Sequence, residues 1–454
     1  MNTYLSYQFD ALSLIMLGLI FYIGCCILSF SSRYMKGDPK YPIFLFRIIF
    51  LILSITIMVS TDHIFILLLS ISFSHFILIK LMVHSSKWQA AKASGKIASH
   101  HFLLSSVCMG IAFFLFYLET KETHISSIIN PHNQNFQAFI GSFIGSVSLI
   151  LLLISAMTQS GIWPFHKWLL SSLNSPTLVS AIMHAGLING GGFVLIRFAP
   201  LYLQNQTIML AVFCMGMLTA LLGTSWKLIQ NDVKKMLACS TMGQMGFMFV
   251  QCGLGLFPLA LTHLLFHGLF KSYLFLASSS AAQEKRLKLA YPPSVISFVC
   301  ALLCGTLGSF SFSYASHETW FASDSTLVLI IIVLIAGTQL ALPILQGPSF
   351  KIKSLICALF LNLGAGTLYG LSVYFIVSTL ETMQLMRTQS LNSLHIVGCI
   401  LFSLSWLVGL FLKFSSTSNG YYPAWVLKIY VKALNASQPA QGTITAYRNH
   451  YQYQ

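Results

Sequence analysis

Three ionisable residues stand at regular spacing inside one apolar stretch. His263, His267 and Lys271 lie in Ala260–Ser280, ALTHLLFHGLFKSYLFLASSS. Each follows the last by four positions, so a helix stacks all three on one face, roughly one turn apart. The stretch is long enough to cross a bilayer, which takes about 20 residues. Ionisable groups at membrane depth are costly and face a protein interior or a water-filled path. Imidazoles beside an amine suit stepwise proton movement. The competing reading is a buried polar seam that only joins helices.

Such a ladder needs a membrane around it, and the composition supplies one. The chain has 454 residues, 56% hydrophobic and 8% charged, against about 25% charged in a soluble domain. It reads as an all-α, polytopic transmembrane bundle. By length, apolar runs mark about thirteen helical spans: 11–30, 42–60, 64–83, 101–118, 137–158, 177–199, 208–226, 236–253, 257–281, 293–313, 325–345, 354–377 and 394–412. The first run has no basic segment before it and no clear cleavage site after it, so it reads as a span and not a signal peptide. Basic residues concentrate in odd-numbered loops: Arg33, Lys36 and Lys40; Lys87, Lys92 and Lys96; Lys227, Lys234 and Lys235; Lys285, Arg286 and Lys288; Lys351 and Lys353. Even-numbered loops hold little beyond Lys121 and Arg387. By the positive-inside rule the N-terminus is outside and the C-terminus cytoplasmic. This distribution explains the net charge of +15 as topology and anionic-lipid contact, not nucleic-acid binding. The ten cysteines are scattered, without Cys-x-x-Cys pairs or zinc-ligand spacing, so no metal or cofactor is expected in this chain.

Two Pro/Gly features read as broken helices: NSPTLVSAIMHAGLINGGG (174–192), which holds Pro176 and His184, and QLALPILQGP (339–348), with Pro343 mid-span. Proline frees a carbonyl, and such breaks line polar cavities in transporters. The polar tail, 415–454, carries an amphipathic run, AWVLKIYVKALNAS, followed by a Tyr-rich end. It is either an interfacial helix on lipid or a docking surface for a cytoplasmic partner, with Trp425, Tyr430, Tyr447, Arg448 and Tyr451 as contacts. The expected domains are thus a conducting membrane domain, 1–414, and a docking tail, 415–454.

The residues suggest a proton path through His184, His263, His267 and Lys271, leaving past Lys227, Asp232 and Lys235. Topology alone also accounts for Lys227, Lys234 and Lys235. His75 on the third span is a secondary candidate. Lys80 reads as snorkelling to the inner surface, and Arg197 as an interfacial anchor or ion-pair partner.

Two segments carry a resemblance. GIWPFHKWLLSSLNSPTLVSAIMHAGLINGGGFVLIRF (161–198) resembles the signature of the antiporter-like subunits of respiratory complex I and of Mrp cation antiporters. NDVKKMLACSTMGQMGFMFVQCGLGLFPLALTHLLFHGLFKSYLFLASSS (231–280) resembles the same family's Asp-x-Lys-Lys/Arg block and its His-x-x-x-His-x-x-x-Lys helix. Within that superfamily HAGLINGGGF (184–193), Ser74-His75 and ALNASQPAQGTITAYRNHYQY (433–453) resemble the DabB family of membrane subunits. The resemblance implies an antiporter-like fold in a bacterial inner membrane. It implies a DabA-like cytoplasmic partner with a carbonic-anhydrase-like zinc site. It further implies uptake of dissolved inorganic carbon, CO2 or bicarbonate, driven by protons or Na⁺ through the membrane subunit, with catalysis and zinc on the partner. The alternative is a Na⁺/H⁺ antiporter or a respiratory proton-translocating subunit. Against it, Ser72 and Gln159 occupy positions where those subunits carry a Glu–Lys pair, and Gln159 joins His75 as a secondary path candidate.

Overall fold

In a computed structural model of the chain the described residues are 9–85, 87–278, 294–321, 323–346, 352–383, 385–419, 424–440 and 442–443. The helices run in order: α1 (Ala11–Tyr34), α2 (Tyr41–Ser60), α3 (Ile64–Met82), α4 (Gln89–Thr120), α5 (Ile125–Ile128), α6 (Gln134–Gly141), α7 (Phe143–Gln159), α8 (Lys167–Leu170), α9 (Thr177–Ile182), α10 (Asn189–Arg197), α11 (Ala199–Tyr202), α12 (Gln206–Leu228), α13 (Val233–Gly253), α14 (Phe257–Ala277), α15 (Val295–Ser316), α16 (Thr326–Leu345), α17 (Ile352–Thr379), α18 (Ser393–Asn419) and α19 (Ala424–Ala436). Among the described residues eleven helical segments are long and apolar enough to cross a membrane. The other two expected spans are also helical. One is α7, only 17 residues long. The other is α13, which opens on Lys234 and Lys235 and carries Gln244 and Gln251. The chain is a multi-pass, all-α membrane protein.

Caps fix where many of these helices begin. Asp10, Ser142, Asn205 and Ser294 each accept from the backbone N–H three residues on, at 2.8, 2.8, 3.1 and 3.1 Å, satisfying donors the helix leaves open. Two expected boundaries shift. The fourth span begins three turns earlier than its apolar run, at Gln89, so that the polar stretch 89–100 is helical. The fifth divides at Ser142 into α6 and α7, and a Cβ on Gly145 would lie 1.9 Å from the Phe139 carbonyl oxygen. Only glycine lets the two pieces meet so closely.

The chain forms two compact units, 1–252 with 263–282 and 430–454, and 253–262 with 283–429. In the first unit α1, α2, α3 and α4 pack in sequence, α4 and α10 both pack on α7, and α9 packs on α1. Its hydrogen bonds sort the connections by end. At one end the N-terminal Asp10 pairs with Arg197, which also donates to Ser13 Oγ (2.7 Å) and to the Val59 carbonyl (3.2 Å). Asp62 there accepts from Ser126 N and Oγ, at 2.8 and 2.7 Å. Beside it, burial first and His124 second push the His63 imidazole below its ordinary range. At the other end Asp38 and His84 bond at 2.8 Å, joining the first and third loops. That hydrogen bond holds the Asp38 carboxyl below its ordinary range. In this unit the second, fourth and sixth connections thus share one end with the start of α1, in keeping with the alternation of basic loops.

In the second unit α15 packs on α16 and α17, through glycines 305, 308, 366 and 370, at which a Cβ would meet backbone of the facing helix within 3.2 Å. Small residues allow this approach in the absence of a hydrophobic drive between membrane helices. The expected break at Pro343 is not found. α16 runs unbroken through it to Leu345. Pro343 falls in the last turn, where one lost hydrogen bond is cheap. The part of that feature from 347 onward lies outside the described residues.

Arg197, expected as an anchor or an ion-pair partner, is the latter, 1% exposed. Asp10→Ala strands it as an unpaired buried cation and should destabilise the protein by roughly 3–5 kcal/mol. The double change Asp10→Ala/Arg197→Met should recover most of that loss. Thermal unfolding of the detergent-solubilised chain measures this, and a single variant with wild-type Tm contradicts it.

Candidate functional site

The three residues share one helix, α14, and two of them are buried. Lys271 is 1% exposed and His267 6%, deep in an apolar helix, while His263 is half-buried. The His263 and His267 rings lie 6.3 Å apart, centre to centre. Lys271 Nζ donates to the Leu237 carbonyl of α13 at 3.1 Å. That oxygen already serves the i→i−4 bond from Thr241, whose Oγ1 also donates to it at 3.0 Å. One acceptor is meagre for an ammonium with three donors.

The sixth span supplies the other side. Pro176 starts α9 and does not break it. The break is a π turn, Met183–Leu187, which contains His184. Ile188 N reaches back five residues to the Met183 carbonyl at 3.0 Å. Such bulges are rare and recur at functional sites. His184, 1% exposed, stacks on Phe275 at 4.3 Å, and His267 lies against the His184 main chain. His184 therefore belongs with His267 and Lys271, and not beside His263 as the sequence order suggested. His184 Nδ1 and His267 Nε2 are buried with no hydrogen-bond partner among the described residues. Each can accept or deliver a proton without breaking an internal bond.

Close approach depends on Gly268. A Cβ there would stand 2.9 Å from the Ala185 carbonyl oxygen and 3.5 Å from Asn189 Nδ2. Asn189 was not foreseen. It is fully buried, donates to the Ala185 carbonyl at 2.8 Å and leaves its own Oδ1 without a partner among the described residues. A lone amide in an apolar run beside three glycines was the available signal.

The exit residues lie outside the ladder's own hydrogen bonds, with the Lys227 charge acting on Lys271. Lys227 and Asp232 are exposed, and Asp232 caps Lys235 N at 2.9 Å. Lys235 Nζ donates to Gln438 Oε1 at 3.1 Å. Lys234 Nζ donates to the Leu173 and Ser175 carbonyls, at 3.4 and 3.0 Å. Gln159 is 2% exposed and donates to Ser105 Oγ (3.1 Å) and Ser155 Oγ (3.2 Å), a charge-neutral cluster. His75 stacks flat on Phe102 at 4.2 Å. Lys80 is exposed, as a snorkelling residue should be. Ser72 bonds Ser106 at 3.0 Å. On α19 Trp425 is 62% and Tyr430 42% exposed, and Tyr447, Arg448 and Tyr451 lie outside the described residues.

A helix broken by a π turn thus packs beside the His/Lys ladder. The chain belongs to the NADH:quinone oxidoreductase/Mrp antiporter transmembrane family, whose sequence profile matches residues 61–291. A second profile, the N-terminus of complex I chain 5, matches residues 1–45. The chain is 36% identical over 281 residues to the probable inorganic carbon transporter subunit DabB1 of Halothiobacillus neapolitanus, covering 61% of this chain and 50% of that protein. It is 34% identical over 275 residues to the probable inorganic carbon transporter subunit DabB of Bacillus subtilis, covering 61% and 54%. NADH-ubiquinone oxidoreductase chain 5 of Rattus norvegicus is 31% identical over 284 residues, covering 61% and 44%. The chain thus spans about half the length of the relatives it matches. In fold it is similar to a chain of the Mrp complex from Dietzia sp. DQ12-45-1b, with a TM-score of 0.54 and 19% identity, over 96% of this chain and 46% of that one.

Asn189→Ala removes the donor from the Ala185 carbonyl at the π turn. It should lower stability by about 1–3 kcal/mol, the cost of an orphaned buried acceptor. A Tm equal to wild type means that water replaces the amide there.

Proposed function

We propose that this chain is the membrane subunit of a two-component uptake system for dissolved inorganic carbon. In this reading it conducts protons, or Na⁺, down their gradient. The flow powers a large cytoplasmic DabA-like subunit that carries a carbonic-anhydrase-like zinc site. The chain itself is not an enzyme and holds no cofactor. It sits in the bacterial inner membrane with its N-terminus outside and its C-terminus in the cytoplasm.

The observation that carries the reading is Lys271: a buried amine in an apolar span, held by one shared carbonyl and flanked by unpartnered imidazole nitrogens. Ions placed so expensively in a membrane mark ion pathways. A proton arriving at His263 passes to His267, which takes it on one ring nitrogen and releases from the other. It moves on to Lys271 or His184, and leaves at the Lys227–Lys235 turn. The names of the relatives support inorganic carbon as the cargo. Trp425, Tyr430, Tyr447, Arg448 and Tyr451 are assigned to partner docking, since large side chains with polar tips favour interfaces. The antiporter alternative is disfavoured by Gln159, whose neutral hydroxyl cluster has no charge to couple.

Lys271→Gln should abolish growth of a carbon-concentrating-deficient host at low CO2, with the protein still present in the membrane. It should also abolish proton uptake by vesicles holding the complex. Full rescue by the variant reduces the ladder to packing. Proton flux that requires Na⁺ on the opposite side supports the antiporter.

A further inference from the structure

The segment just after α19 is not a solvated appendage. α19 buries none of its residues, yet the segment after it is pinned. Ser437 and Thr443 are 1% and 2% exposed. Ser437 Oγ accepts from Gln230 Nε2 at 2.8 Å, and Gln438 Oε1 from Lys235 Nζ at 3.1 Å. Ala440 N donates to Ser171 Oγ at 3.1 Å, and the Thr443 carbonyl accepts from Asn174 Nδ2 at 2.6 Å. Gly442 turns the chain at φ +81°, a conformation natural only to glycine. These residues form a strap over one end of the first unit.

Its anchor points lie on the two pieces of backbone that set the inner end of the ladder. Ser171 and Asn174 precede Pro176, which opens the helix leading into the His184 π turn. Gln230 and Lys235 flank the start of α13, and Leu237, two residues further on, supplies the carbonyl that holds Lys271. Lys234 ties the same two pieces directly, through the Leu173 and Ser175 carbonyls. Each strap bond is individually weak, because water competes for its donor and acceptor. A protein that binds the tail can trade them for its own contacts.

We propose that the strap is the coupling element between the cytoplasmic partner and the ion path. Seated, it clamps the turn before Pro176 to the start of α13 and holds the inner end of the path closed. A soluble subunit that engages α19 draws the strap off and leaves Lys234 as the remaining tie, so that the two pieces can loosen. The inference rests on the conducting, partner-docked reading given above.

The test locks the strap. Ser171→Cys with Ala440→Cys places two thiols where a backbone N–H now meets a side chain at 3.1 Å. In vesicles holding the full complex, oxidation should lower proton flux about tenfold or more, and reduction should restore it, with the wild-type complex insensitive to both. Equal flux in the locked and reduced states overturns the proposal. Separately, Ser437→Ala/Gln438→Ala should raise flux through the chain without its partner, and no rise also overturns it. A wild-type complex that carries no flux in the same vesicles defeats the conducting function, and the strap with it. Flux that is present but blind to the lock defeats the strap alone.

Discussion

A lysine ammonium inside an apolar helix is the constraint around which the first unit is arranged. Lys271 is buried, 1% exposed, and its amine turns to a carbonyl on the neighbouring α13. Burying such a charge without partners costs several kcal/mol even after relaxation. The protein supplies one shared carbonyl, at Leu237, and nothing further among the described residues. The amine is therefore under-served, and the imidazoles on either side have free nitrogens with which to exchange its proton.

Neighbouring features serve to bring polar groups to that amine. A regular sixth span would aim its backbone bonds along its own axis. The π turn inserts one extra residue and frees main-chain groups at Met183–Leu187, and Asn189 takes up one of them. Gly268 removes the side chain that would keep α14 away from that turn. At the far end of the same span Arg197 is locked to Asp10, Ser13 and Val59. The broken helix is thus held rigidly at its Arg197 end, while at its Pro176 end it is tied by a loop, Lys234 and the strap. A span fixed at one end and laced at the other can hinge only at the laced end.

Features set by periodicity and charge were legible in the sequence. The four-residue spacing of His263, His267 and Lys271 placed them on one face, because a helix in lipid must satisfy its own backbone and so keeps its period. The alternation of basic loops foretold which connections share an end. Contacts made across helices were not legible. Pro176 and Pro343 looked alike in the sequence, yet one starts a helix and the other sits in a last turn. The difference lies in where each helix ends, and apolar runs locate such ends only loosely. Asp232 looked like a path residue because it is acidic and near the ladder in sequence; the cap it makes at the start of α13 was not legible. Ser437 and Gln438 carried no signal, since hydroxyls and amides in a polar tail reveal nothing until the residues they meet are known.

The central claim is that His267 and Lys271 act in series on one proton path. It is tested most directly by a double-mutant cycle on proton flux, measured in vesicles that hold the complex under a fixed potential. Residues that serve one path in series are non-additive, so removing the second costs little once the first is gone. The prediction is that His267→Gln, Lys271→Gln and the double variant lose the same amount of flux. Losses that multiply, with the double variant far below either single one, would contradict the claim and leave two independent packing defects in its place.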